Sequence, residues 1–482
     1  MSPTKPYDAV LIGVDAGTTV TKAVAFSPVG VPLARAARPS VLHAIGDGRY
    51  EQDTDQVVDS VHEVLAELTG RLQAPVQAVG ITAQGDGLWL VDRQGGSTRN
   101  AISWMDARAA GIVARWQRDG LLDKAFRRTG SVMFPGASGP LLAWMHRHEP
   151  STLDKSDTAA YCKDVVLQRL TGVRATDPSD ASMPFGDPHG LGYDETLLDA
   201  CGLSGRRELL APVHPTPAGA LTRAASGRTG LAPGTPIVAA PYDLPASAWG
   251  AGLETVGDGL LILGTTLACQ VLADGVGSAG EPTGFTLRTW RPGRWLRALP
   301  AMVGTAALDW VLSLIGTDIS QLEELLERGR SKGLAVLPYL SEAGERAPFL
   351  APGARGRIYG LSLGTRPADL VLAMCEAIAY SARHCLETAG LRGELTACGG
   401  GLASPRWAQI FADVLGQPVK VLAAQEIGAR GAALAAASVV SPEVRFAPPA
   451  GGVHLPRPEA VRRYADGYGQ YLELVARARA DW

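Results

Sequence analysis

Residues 9–14 read Ala-Val-Leu-Ile-Gly-Val, a short apolar run rich in β-branched side chains; 15–19 read Asp-Ala-Gly-Thr-Thr, and 20–26 return as a second strand-like run. That pattern predicts a hairpin with glycine and threonine at its tip. The same order recurs later, where 259–263 (Gly-Leu-Leu-Ile-Leu) run into Gly264-Thr265-Thr266 and then 267–272. Aligned without gaps, Gly17, Thr18, Thr19 and Val24 fall on Gly264, Thr265, Thr266 and Val271, so one substructure occurs in each half. A chain of 482 residues exceeds what one core usually serves, which predicts two related α/β domains facing across a cleft.

Between the copies, 236–240 reads as a buried strand, 242–245 as a turn and 246–253 as the start of a helix. The boundary is placed in the glycine-rich stretch 252–257, giving domains 1–252 and 253–482; Gly250, Gly252 and Gly257 would permit a bend about which they close. Amphipathic periodicity predicts helices over 56–72, 365–388 and 404–415; 429–437 is alanine-rich, and 456–482 reads as a charged surface helix.

Composition narrows the class. With 46% hydrophobic and 19% charged residues, 57 Gly and 33 Pro, the chain is globular rather than disordered. A net charge of -3 with scattered Lys and Arg disfavours nucleic acid and anionic lipid as partners. Six cysteines without a CxxC pair suggest reduced, partly buried thiols rather than zinc or a disulfide framework. Residues 1–7 are short and polar, without charged leader, apolar stretch and cleavage site, and no apolar run reaches spanning length, so a cytoplasmic protein is expected.

A Gly-Thr-Thr turn aims several backbone N–H groups and hydroxyls at one point, as an anion nest does, although a plain hairpin tip uses the same residues. Two facing copies could grip one polyphosphate. Asp15, at the end of a buried strand, needs a partner such as magnesium or its waters, or else is a turn-capping residue. Lys22 could reach phosphate or simply face outward. Asp243 precedes Pro245 and a helix; it is either an N-cap or a general base at the mouth of the cleft. Cys398-Gly399-Gly400-Gly401 would let backbone approach a flat ring, or form a loose loop.

These residues together resemble the FGGY family of carbohydrate kinases over nearly the whole chain. The resemblance is carried by Val14–Thr19 with Lys22; by 80–87 (Gly-Ile-Thr-Ala-Gln-Gly-Asp-Gly) followed by Ser103-Trp104-Met105-Asp106-Ala107-Arg108; and by Tyr242-Asp243 and Gly264–Thr266. Gly304-Thr305 ahead of Trp310, Pro338-Tyr339 through Gly344-Glu345-Arg346-Ala347-Pro348, and Gly399-Gly400-Gly401 through Ser404 to Gln409 complete it. The resemblance implies two ribonuclease-H-like domains of the actin and hexokinase type, closing over ATP, Mg²⁺ and a small sugar or polyol. It implies that Gly17, Thr18, Thr19, Lys22, Gly264, Thr265 and Thr266 hold the phosphates, and that Thr305, Gly400 and Ser404 border the nucleoside. Asp15, with Asp243, would position magnesium; Asp243 would take the proton of the attacking hydroxyl; Asp86, Trp104 and Asp106 would face the sugar. A homodimer is left open.

Departures bear on the substrate. Gly85-Asp86 stands where glycerol-specific members carry an arginine–glutamate pair and where xylulokinase-like sequences carry Met-His, and the Met133–Gly136 segment lacks the lysine that usually follows it. The residues are more similar to kinases of erythritol and related four- or five-carbon polyols or ketoses. A ketopentose kinase is the enzymatic alternative, and a nucleotide-switched binding protein of the actin type is the non-enzymatic one.

Overall fold

The computed structural model describes residues 9–331, 333–423 and 426–482. The expectation drawn from residues 1–7 lies outside them. Numbering only the strands of the two large sheets, β1 (Val10–Ala16) and β2 (Val20–Phe26) pair antiparallel around the first Gly-Thr-Thr turn. They continue into β3 (Pro32–Pro39), and β4 (Val76–Ala83) then joins β1 in parallel. Adding β5 (Ala218–Ala220) and β6 (Pro236–Ala239) gives the order β5-β6-β4-β1-β2-β3.

The second half repeats the plan. The hairpin of β7 (Gly259–Leu263) and β8 (Leu267–Ala273) is followed by β9 (Phe285–Arg288), β10 (Trp295–Ala301), β11 (Leu395–Cys398), β12 (Val419–Leu422) and β13 (Gly451–His454). Their order is β9-β10-β8-β7-β11-β12-β13. In both sheets the first hairpin strand has antiparallel strands on one side and parallel strands on the other, although in the second sheet β8 pairs with β10 rather than with β9. The repeat read from two short motifs is therefore a repeat of topology.

Alternation along β1 explains how the first sheet is covered. Ile12 and Val14 point to helix α1 (Thr54–Thr69), burying against Val57, Val61, Val64 and Leu65. Leu11 on the opposite face packs with Val24, Phe26 and a row of alanines from a helix near the C-terminus, Ile427–Val440. That helix also lies against α2 (Asp243–Ala251), so the second half of the chain supplies a layer of the first domain's core. The expected 1–252 and 253–482 division thus cuts through packed layers.

The approach is backbone to backbone. A Cβ on Gly13 or Gly80 would overlap the carbonyl oxygens of Ala429 and Ala432, and one on Gly250 or Gly431 those of Ile427 and Ala246. Gly250 therefore serves close helix packing, not a bend. Gly252 (φ 87°) and Gly257 (φ 97°) do occupy the left-handed region.

The two halves are joined a second time, away from the sheets' hairpins. Val132 N–H donates to Gly284 O at 3.0 Å, and Thr286 N–H to Ser131 Oγ at 2.9 Å. Arg288 donates to the carbonyls of Pro188 and Gly190. The C-terminal helix, Pro458–Ala478, buries Tyr464, Tyr468, Tyr471 and Val475, so the expected surface helix has one packed face.

Candidate active site

The C-terminal ends of β1 and β7 carry the two Gly-Thr-Thr turns, and the site is built around them. In the first, Gly17 N–H closes the turn onto Val20 O at 3.1 Å. The Thr18 hydroxyl is committed inward, donating to Gln84 Oε1 at 2.8 Å and accepting from Trp104 Nε1 at 2.9 Å, whereas Thr19 is exposed. Of the expected phosphate ligands here, the Thr18 hydroxyl is thus already spent on a neighbouring wall. Lys22 lies 3.3 Å from Glu426.

The second turn is more open. Gly264 N–H donates to Thr266 O at 3.1 Å, both threonines are exposed, and Thr305 N–H, at the start of helix α3 (Thr305–Leu314), braces Gly264 O at 2.9 Å. In the triple-glycine loop, Gly399 (φ 115°) and Gly401 press on Leu263, so these two are glycine for packing, while Gly400 faces open space. Ser404 caps the helix Pro405–Leu415, accepting from Trp407 N–H at 3.1 Å while donating to Glu323 at 2.5 Å.

Asp243 opens α2 but does not cap it. Tyr242 holds the N-cap position without a side-chain bond, so the capping reading fails. Burial holds the Asp243 carboxyl up at about 8; Asp15 and Asp86 push the same way against the Leu244 N–H. Asp15 is held at about 6, chiefly by burial, with Lys22 opposing and Glu426 adding to it. The glycine at 428 makes room, since a Cβ there would lie 2.6 Å from Asp15 Oδ2. Among the described residues no salt bridge reaches Asp15 or Asp243. Two mutually repelling carboxyls without a salt-bridge partner are a donor set that suits a hydrated divalent cation, which takes only one or two carboxylates from a protein and its other ligands from water and phosphate.

Across from them Asp86, in the left-handed region (φ 56°), is buried with Oδ1 unpartnered, and burial holds its carboxyl at about 7 against the pull of Arg346. Flanking glycines allow this. Gly85 passes the Tyr242 ring, where a Cβ would come within 2.5 Å, and Gly87 (φ 71°) donates to Gly136 O at 3.0 Å. Gly136 lies directly under the Trp104 backbone, which gives the incomplete Met133–Gly136 motif a seating role. Tyr242 Oη is also buried without a partner.

Asp106 departs from expectation. Its oxygens accept from Tyr50 N–H at 2.7 Å, from Arg108 N–H at 2.7 Å and from the Arg108 guanidinium at 2.9 Å, and it is 1% exposed. Asp106 holds the wall behind Trp104 rather than facing a ligand. Sequence reasoning also gave no role to Arg346, whose guanidinium carbon lies 5.5 Å from the Trp104 ring centroid. A cavity of about 1130 Å³ lined by Arg330, Tyr380, Arg406 and Tyr464 lies elsewhere in the second half; the carboxylates, not cavity volume, locate this site.

The family model described as the FGGY family of carbohydrate kinases, N-terminal domain, matches residues 10–250, and its C-terminal domain model matches 289–439. Erythritol kinase of Brucella abortus (strain 2308) is 33% identical over 469 residues, covering 91% of this chain and 89% of that protein. Xylulose kinase of Escherichia coli (strain K12) is 29% identical over 449 residues, 90% of each. The crystal structure of a gluconate kinase from Lactobacillus acidophilus superposes with a TM-score of 0.91 at 22% identity, covering 98% of both chains, a likeness of fold.

Proposed function

The chain belongs to the FGGY family of carbohydrate kinases, and from that premise we propose that it transfers the γ-phosphate of ATP to a hydroxyl of a four- or five-carbon polyol such as erythritol. Membership ends the switch-protein alternative: this is a carbohydrate kinase, and kinases of the family draw phosphate from ATP. The observation that carries the reading is Asp243, a half-buried carboxyl freed from capping on whose charge both Asp15 and Asp86 act. In this reading it serves both the phosphate turns and the polyol pocket.

In this mechanism the backbone of Gly17–Thr19 and Gly264–Thr266 holds the phosphates from opposite sides, Lys22 is the nearby cation, and Thr305, Gly400 and Ser404 border the nucleoside. Asp15 and Asp243 would hold Mg²⁺, which when bound supplies positive charge to the phosphates. Asp86 accepts hydrogen bonds from substrate hydroxyls while Trp104 supports the carbon face. An Oδ of Asp243 takes the proton of the attacking hydroxyl. Binding of cationic charge nearby favours its ionised form and so prepares it as a base only once the nucleotide is in place.

The preference for a polyol rests on Gly85-Asp86 and on the erythritol kinase relative; the xylulose kinase relative makes a ketopentose the competing acceptor. ADP release measured across C3 to C6 polyols, ketoses and aldoses decides. Turnover highest on a tetritol or pentitol supports the proposal, and a clear preference for xylulose overturns the polyol part of it.

A further inference from the structure

Arg346 lies in the Gly344–Pro348 motif, for which the reaction above has no task. It comes from the second half of the chain, yet stacks over Trp104 of the first. Its Nε–H donates to Pro300 O at 2.8 Å; among the described residues no hydrogen bond takes up its terminal nitrogens and no carboxylate comes within salt-bridge distance. Asp86 and Tyr242 are nevertheless near enough to act on its charge.

Two buried polar atoms, Asp86 Oδ1 and Tyr242 Oη, thus lie within electrostatic reach of the half-buried Arg346 fork, and all three have bonding capacity unspent. Buried polar atoms are normally paired, and an unpaired cluster from two different halves calls for a ligand that both donates and accepts. A hydroxyl does both. Adjacent hydroxyls on a carbon chain match a guanidinium's parallel donors on one side and a carboxylate on the other.

The Arg346 backbone is fixed for such a task. The Glu345 carboxylate, 1% exposed, accepts the N–H groups of Met302 at 2.7 Å, Val303 at 3.3 Å, Arg346 at 2.8 Å and Ala347 at 3.3 Å. Arg346 is thereby mounted on the segment that leads directly into Gly304-Thr305 and the second phosphate turn.

We propose that Arg346 is a specificity-determining residue for the acceptor: it donates to the oxygens of adjacent hydroxyls while Asp86 accepts from them, so that the pocket reads a vicinal diol only with both halves in place. This deepens the reading above and rests on it.

The test compares wild type, R346Q and R346K on erythritol and on butane-1,4-diol, which has terminal hydroxyls but no adjacent pair, with ATP affinity and melting temperature measured on the same preparations. R346Q should raise the KM for erythritol about 10- to 100-fold, the range for losing a charged hydrogen bond. kcat should change far less, and the KM for ATP should stay within about threefold. For butane-1,4-diol the penalty should shrink to a few-fold, because the vicinal contact removed is absent already. R346K should recover only part of the loss, since a point charge lacks the fork. Equal penalties on both acceptors, or an unchanged KM for erythritol, would overturn the assignment while leaving the kinase reading intact. Wild-type silence on both acceptors and on the wider panel would instead overturn the kinase reading and this assignment with it.

Discussion

Replacing Asp243 by Asn should make the protein more stable and nearly inactive at once. In the unfolded chain this carboxyl ionises at 3.8, and in the folded protein at about 8. Because the folded value is raised, the native state holds the extra proton. This carboxyl's contribution to stability is therefore fully present below pH 3.8 and is lost as pH rises toward 8. At ~1.36 kcal/mol per pH unit, the cost accumulated by neutral pH is about 4 kcal/mol, an upper bound because the group keeps some access to the cleft. An amide carries no such cost, so Asp243→Asn should gain about 1–4 kcal/mol in metal-free buffer. With ~2 cal/mol/K of unfolding entropy per residue, that is a rise of about 1–4 °C in Tm. The same change removes the proposed base and should lower kcat by about 10² to 10⁴. Thermal melts in EDTA at pH 7, nucleotide affinity and turnover on one preparation give all three numbers. A fall in Tm, as loss of a helix cap would cause, or near-normal turnover, would refute the reasoning.

Three further changes probe the frame. Asp86→Asn abolishes a carboxyl held at about 7, so its urea midpoint should exceed that of wild type by more at pH 8 than at pH 5, and parallel pH dependences would contradict the burial argument. Gly80→Ala places a methyl on the Ala432 carbonyl and should cost about 1–3 kcal/mol in Tm-derived stability, with activity per folded molecule largely kept; a neutral melt would show that the helix 427–440 contact is looser than described. Asp106→Ala leaves Arg108 buried without its main partner and should cost about 3–5 kcal/mol, whereas a stable variant with altered polyol preference would return Asp106 to the ligand-facing set.

The hairpins were legible in the sequence because strand periodicity and turn chemistry are local, and their repetition made the two-sheet plan legible as well. The helix 427–440 was visible as an alanine-rich stretch, but its partners were not. What assigns it to the first sheet is the match of its small residues to Gly13 and Gly80, a pairing between distant segments that a single sequence does not display. Asp106 was misjudged for a related reason. Its carboxylate is claimed by Arg108 two positions later and by Tyr50 N–H, and although the Asp-Ala-Arg spacing hinted at the first bond, only the fold supplies the second. Asp243 read ambiguously because a residue at a strand-to-helix turn fits both roles, and one residue of helix register decides between them. Arg346 carried a motif but no direction, since its proximity to Trp104 exists only once the halves meet.

Each wall of the proposed acceptor pocket hangs from one of the two Gly-Thr-Thr turns, Trp104 from Thr18 and Arg346, through Glu345, from the segment entering Thr305. If the proposed ligands occupy these walls, ordering one ligand's contacts would spend part of the entropy that ordering the other's requires, and the two bindings would share a coupling free energy. Linkage makes this reciprocal: the factor by which a polyol tightens nucleotide binding equals the factor by which the nucleotide tightens polyol binding. Under the proposed assignment, ATP should bind more weakly and be hydrolysed less while the pocket is empty, so that the acceptor would set when phosphate is spent.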